Sequence, residues 1–183
     1  MKIISLILVT LALTSCFGGE DTNVALTEYK GTGYAVNVPK TWVAVDAKSL
    51  PRPKNGTIAL AMSSPDISNG FANNLLILKD TLGPDADPKM TSRKYMVVSQ
   101  ALTSGTYTEY TKLSDDTITW SDQDEGTLQV FEAKYNPETP KQKFIQTAKL
   151  CGKDVYLMTI GLALSVTDTK KYTALFESFT CVK

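Results

Sequence analysis

The chain has no histidine, only three cysteines and two tryptophans, and no excess of either charge, with 19 Lys+Arg against 19 Asp+Glu over 183 residues. Each shortage excludes something. Without histidine there is no His-based triad, no side chain that titrates near neutrality unperturbed, and no ordinary zinc site. Without a basic excess there is no footprint for nucleic acid, whose binding depends on cations displacing phosphate counterions. The sequence also lacks Gly-x-Ser-x-Gly, a phosphate-cradling glycine loop, Cys-x-x-Cys and a metal-ligand cluster. No pair of carboxylates is singled out, so no catalytic residue, metal ligand or cofactor is expected, and the chain reads as a non-enzyme. At 43% hydrophobic and 21% charged, it has the composition of one globular domain with a real core.

The N-terminus carries an address. Lys2 precedes an apolar stretch from Ile3 to Leu13, and Thr14 and Ser15 precede Cys16. That order is a secretory signal, and the stretch falls short of the ~20 residues a spanning helix needs. Leu13-Thr14-Ser15-Cys16 resembles the bacterial lipobox. The resemblance implies cleavage between Ser15 and Cys16 and a diacylglycerol on the Cys16 thiol. Palmitate-type acyl chains would then hold the protein to one leaflet, at about 0.8 kcal/mol per buried CH₂. The alternative is an ordinary signal peptide with an incidental cysteine. Loss of Lys2 leaves a mature net charge of −1. After Phe17, residues 18–23 are small or polar and without apolar periodicity, a flexible tether. The expected division is a signal peptide at 1–15, a tether at 16–27 and a folded domain at 28–183. The expected location is the cell envelope, in the periplasm or at the cell surface, with the lipid as membrane partner.

The rest of the chain reads as α+β. Residues 34–38 and 42–45 form strands around Pro39, which cannot donate to a ladder. Residues 57–62 and 74–79 follow as strands, with loops at 48–56 and 63–70. Asp87-Pro88 starts a helix over 88–103, with Met90, Lys94, Val97, Val98, Ala101 and Leu102 on its inner side and Gly105 as terminator. Strand-like runs at 107–113, 117–120, 127–135, 143–151 and 155–164 alternate with short polar turns, the pattern of an antiparallel meander. Tyr156, Met158, Ile160 and Leu162 share the face that a helix covers. A C-terminal helix over 168–180, capped by Thr167 or Asp168, buries Tyr172, Leu175, Phe176 and Phe179.

Cys151 and Cys181 form an even pair in an exported protein, hence a disulfide candidate. Cys151 sits at the turn before the last long strand, and the terminal helix should return Cys181 to that turn. Two unpaired thiols are the other reading. Asp122, Asp124, Glu125, Gly126 and Glu132 faintly echo a calcium loop, with Asp115 and Asp116 on a neighbouring turn. Ser121 and Gln123 occupy positions that need carboxylates, so a solvated acidic tip is the preferred reading. Tyr29, Tyr34, Tyr107, Tyr110, Trp120 and Tyr135 either line a groove or partner face, or are half-buried strand residues.

Two segments carry a likeness to a known family. Gly33-Tyr34-Ala35-Val36-Asn37-Val38-Pro39-Lys40-Thr41-Trp42, with the closing Tyr172-x-x-Leu175-Phe176-x-Ser178-Phe179, resembles the PsbP-like (Mog/PsbP-type) proteins over residues 28–182. The resemblance implies an α/β/α sandwich around an antiparallel sheet. It also implies non-catalytic roles, as in extrinsic photosystem II subunits and envelope lipoproteins of the DcrB kind. The family's histidine-dependent metal sites have no counterpart here. The expected function is therefore a lipid-anchored interaction or assembly module with a protein partner in the envelope. A small-ligand or cation-binding lipoprotein is the alternative.

Overall fold

A computed structural model describes residues 25–68 and 70–182. The signal, Cys16 and residues 16–24 of the expected tether lie outside the described residues. In chain order the first elements are β1 (Leu26–Gly31), β2 (Tyr34–Pro39), β3 (Val43–Ala44), a 3-10 turn at Ala47–Ser49, β4 (Thr57–Ser68) and β5 (Phe71–Thr81). There follow α1 (Ser92–Thr106), β6 (Thr108–Thr119), β7 (Glu125–Lys134), β8 (Gln142–Cys151), β9 (Asp154–Leu162), α2 (Lys170–Glu177) and β10 (Thr180–Cys181). β1, β2 and β10 form a small antiparallel sheet. The other strands form a larger antiparallel sheet in the order β3-β4-β5-β9-β8-β7-β6. α1 carries the chain from β5 to the far edge, and the meander walks back until β9 pairs with β5. No helix among the described residues is long and apolar enough to cross a membrane.

The period of two along β9 decides where the core sits. Tyr156, Met158, Ile160 and Leu162 point to one face and are each fully buried. They join Leu75 and Ile77 of β5, Leu175 and Phe176 of α2, and Tyr34, Val36 and Val38 of β2 in the main core. Side chains of this size contribute roughly 1.5–3 kcal/mol each when buried, so α2 and the small sheet are held chiefly by this face. On the other face Ala148 of β8 and Val155 of β9 meet Met96 of α1, while Phe131, Ala133 and Phe144 pack under Tyr107 and Tyr110.

Several expectations change. α1 begins at Ser92, not 88, because Asp87 and Pro88 build a separate turn in which the Lys89 N–H donates to Asp87 Oδ1 at 2.8 Å. Thr91 caps the helix instead, its Oγ1 accepting from the Lys94 N–H at 3.2 Å, and Gly105 lies inside the last turn rather than ending it. The buried side of α1 is Ser92, Met96 and Ser99; Lys94, Val97, Val98 and Ala101 are exposed. The two strands expected within 107–120 are one, β6 (Thr108–Thr119), with Ser114, Asp115 and Asp116 paired to Val130, Gln129 and Leu128. The expected loop at 63–70 is mostly strand, since β4 runs on to Ser68. α2 is confined to Lys170–Glu177, shorter than 168–180 at both ends. The chain beyond it is drawn into the small sheet, where Thr180 and Cys181 pair with Ala35 and Tyr34.

The two segments that carry the family likeness meet. The Asn37 N–H donates to Ser178 Oγ at 2.8 Å. Phe179 stacks on Tyr34 at 5.4 Å between ring centroids, and Trp42 packs beside Tyr172. The opening strand and the closing helix are thus one packed unit despite lying at opposite ends of the sequence.

Candidate functional site

α1 packs on β7 and β8 and leaves the β5–β9 side of that face uncovered. The result is a groove of about 630 Å³. Its floor is Leu76 and Leu78 of β5 with Leu157 of β9, all half-buried, and Tyr95 and Val98 of α1 form one wall. Tyr107, Tyr135 and Pro140 close one end, and the loop at Pro53 stands at the other margin. The strand register sets Leu78 opposite Leu157 and Leu76 opposite Thr159, so an apolar rung lies beside a polar one. Along the polar rung Gln146 Nε2 donates to Thr159 Oγ1 at 2.9 Å. Gln129 lies opposite Gln146 on β7, and neither atom of its buried carboxamide has a hydrogen-bond partner among the described residues. Gly161 keeps the floor low: a Cβ there would come within 3.1 Å of Asn74 Oδ1 and 3.3 Å of the Phe71 ring.

The polar lining of the groove is mostly amides and hydroxyls, with one acid and one base. Gln142 lines it at 7% exposure, and its carboxamide makes no hydrogen bond with a described residue. Two lining tyrosines are pushed above the ordinary phenol range and so stay neutral: Tyr107 by burial and then by Tyr135, Tyr95 by burial and then by Asp80. Lys54 and Asp80 add one charge of each sign. A second concavity of about 700 Å³ lies between β6, β7 and α2. Its lining is largely threonines and charged side chains, and its Lys143 Nζ already donates to the Val166 carbonyl at 2.7 Å.

The acidic tip has an internal use. Lys149, 1% exposed, places its Nζ 2.7 Å from Asp122 Oδ2 and 2.9 Å from Asp124 Oδ2. Burial alone would raise the Asp122 carboxyl, but the Lys149 ammonium and the Asp124 N–H hold it below the ordinary range. Ser92 Oγ donates to Asp124 Oδ2 at 2.6 Å and accepts from the Leu150 N–H at 2.9 Å. Glu125 pairs with Arg93, Asp115 with Lys112, and Glu132 approaches Lys141 at 3.9 Å. Asp122, Asp124 and Glu125 therefore lock the β6–β7 turn to β8 and the start of α1, while Asp115 and Glu132 are held in pairs of their own. Gly126 lies under Trp120, whose ring would come within 2.6 Å of a Cβ there.

Of the six aromatic candidates, Tyr107 and Tyr135 line the groove. Tyr34 and Trp120 are core residues, the latter donating from Nε1 to the Phe176 carbonyl at 2.8 Å. Tyr110 packs on Phe131, and Tyr29 packs on Tyr34 at the edge of the main core. Cys151 and Cys181 are joined in a disulfide, with Cα atoms 5.6 Å apart. It ties the end of β8 to β10, on the far side of the large sheet from the groove.

The order of strands and helices can now be set beside solved structures. The solution structure of cyanobacterial PsbP (CyanoP) from Synechocystis sp. PCC 6803 superimposes with a TM-score of 0.62, covering 93% of this chain and 99% of that one. The fold is PsbP-like. Sequence identity is 14%, so the likeness is one of fold. A Pseudomonas aeruginosa protein of unknown function matches at a TM-score of 0.54 and 11% identity, covering 86% of this chain and 98% of its own. No protein-family model and no curated protein matches the sequence. Within this PsbP-like fold, the groove residues of β5, β8 and β9 escaped sequence reasoning because both faces of these strands are apolar. Their signal was the polar set Gln142, Gln146 and Thr159 interrupting strands that otherwise read as buried.

Proposed function

We propose that the protein is a lipid-anchored, extracytoplasmic, non-enzymatic PsbP-like domain that works as a binding module of the cell envelope. The observation that carries this reading is the groove beside α1. It is concave and apolar-floored, lies within the size range of ligand sites, and is lined by side chains that orient a bound group without transferring protons. The α/β/α layering belongs to the same proposal, with α1 on the groove face and α2 on the opposite face. The Cys151–Cys181 disulfide supports the compartment, because such bonds persist where thiols are oxidised. The lipobox-like Leu13–Cys16 segment supports the anchor, with Cys16 as the lipid-bearing residue and a protein of the envelope as partner.

Membrane fractionation with acyl labelling tests the anchor. The wild-type chain should partition with membranes and incorporate labelled palmitate. The Cys16→Ser variant should do neither while keeping the same thermal midpoint. A variant that stays membrane-bound and labelled refutes the anchor.

A further inference from the structure

We propose that the groove binds an uncharged amphiphile, an acyl or aryl body bearing one amide-type group. This rests on the binding-module reading and names the ligand class. Three observations carry it. The volume of about 630 Å³ falls within the 300–1,000 Å³ of small-molecule sites, and its floor of Leu76, Leu78 and Leu157 is apolar and only half-buried. The Gln142 carboxamide, more than nine-tenths buried, lines the cavity with no described hydrogen-bond partner. Its amide faces the groove, so a ligand that displaces water there must pair with it or lose free energy. A carboxamide offers donor and acceptor together and so matches an amide on the ligand better than an ion of either sign.

Charge points the same way. The lining holds Lys54 and Asp80, one charge of each sign, and so gives an ionised headgroup no net attraction. Such a headgroup would also leave water for neutral amides, at a large desolvation cost. Tyr107 and Tyr135, apolar in body and polar at the tip, suit the same occupant. The ligand body would lie along the Leu78–Leu157 rung, with its amide toward Gln142.

The test uses the full chain carrying Cys16→Ser, so that no attached lipid competes, and N-phenyl-1-naphthylamine, an uncharged aryl probe that fluoresces in apolar sites. The expected result is saturable one-to-one enhancement, reversed by decanamide and at least roughly tenfold less well by decanoate, tenfold being the scale of one well-placed hydrogen bond. Leu157→Trp should fill the floor and abolish binding. Val98→Glu, at a helix position 57% exposed and hence tolerant of change, should weaken it at least roughly tenfold by placing a charge on the wall. Gln142→Leu should keep probe binding while weakening displacement by decanamide several-fold, because the amide loses its hydrogen-bond partner while decanoate still pays its desolvation cost. Absence of saturable enhancement overturns the proposal, as does binding unchanged in both Leu157→Trp and Val98→Glu or equal displacement by decanoate. If wild-type protein fractionates with membranes while the probe fails to bind, the ligand class is wrong and the envelope reading stands. If the probe binds while wild-type protein neither fractionates with membranes nor takes up labelled palmitate, the anchor is wrong and the ligand class stands.

Discussion

Lys149 brings a charge into the core, and its surroundings explain why the acidic tip exists. The ammonium lies between two carboxylates and 4.7 Å over the Trp120 ring. Removing the partners differs from removing the charge. Asp122→Asn with Asp124→Asn leaves a buried ammonium unpaired, a change that costs about 3–5 kcal/mol. Lys149→Met keeps the stem's volume and frees carboxylates that water can reach, so its cost should stay below about 1.5 kcal/mol. Urea denaturation of the two variants should rank them in that order, and the reverse ranking would remove the lock from the account. Acid tests the same residue. The folded Asp122 carboxyl titrates below its unfolded value, so its contribution is complete above about pH 4 and is lost as pH falls through the folded value. Asp154, held down by Lys79 and Thr81, acts in the same window. Wild-type stability should therefore be flat from pH 7 to about 5 and fall below about 4. Lys149→Met should show a shallower fall, because the Lys149 contribution at Asp122 is lost while Asp154 and Asp87, each held below the ordinary range by its own partners, still act, and an equally steep fall would refute the assignment.

At the scale of elements, legibility follows what a pattern of apolar residues can see. β9 was readable because Tyr156, Met158, Ile160 and Leu162 alternate without interruption, and the α2 stripe was readable because four large side chains recur at helical spacing. α1 was misplaced because its inner side is Ser92, Met96 and Ser99. Ser92 is buried for its hydrogen bonds to Asp124 and Leu150, which hydrophobicity does not register. β6 was cut in two because Ser114, Asp115 and Asp116 look like a turn. They lie on an edge strand, where charged side chains and bulges are the usual protection against further pairing. The groove as a shape is not legible, since it consists of what α1 fails to cover, and only Gln142, Gln146 and Thr159 mark its place in the sequence. The disulfide was readable from topology, and its effect belongs to β10. That strand makes two residue pairs with β2, and the cross-link closes a sequence separation of 30, worth about 3.6 kcal/mol in the chain-entropy account. Cys151→Ser with Cys181→Ser should lower stability by about that amount and speed amide exchange first in Thr180–Cys181 and the facing Tyr34–Ala35. Exchange that accelerates first in β8 and β9 instead would show that the bond supports the meander.

For the whole molecule the decisive feature is closure of the chain on itself. β2 near the start and residues 178–181 at the end share one small sheet, and that sheet packs on the large one through Tyr34, Tyr156 and Phe179, whose ring centroids lie 5.1–5.4 Å apart. Such an arrangement has no weak seam between the two sheets, and the domain should unfold as one unit. Phe179, fully buried and just beyond α2, is the place to test this. Phe179→Ala removes a ring that touches both sheets and should cost about 3–5 kcal/mol, a large share of the 5–15 kcal/mol typical of a domain. Because closure is global, the loss should appear as one earlier transition. Tryptophan fluorescence, reporting Trp42 beside Tyr172 and Trp120 beside Phe176, should coincide with far-ultraviolet circular dichroism, with an unchanged denaturant slope. If fluorescence changes well before the dichroism, the small sheet melts alone, and the two ends of the chain are a latch on an independent meander.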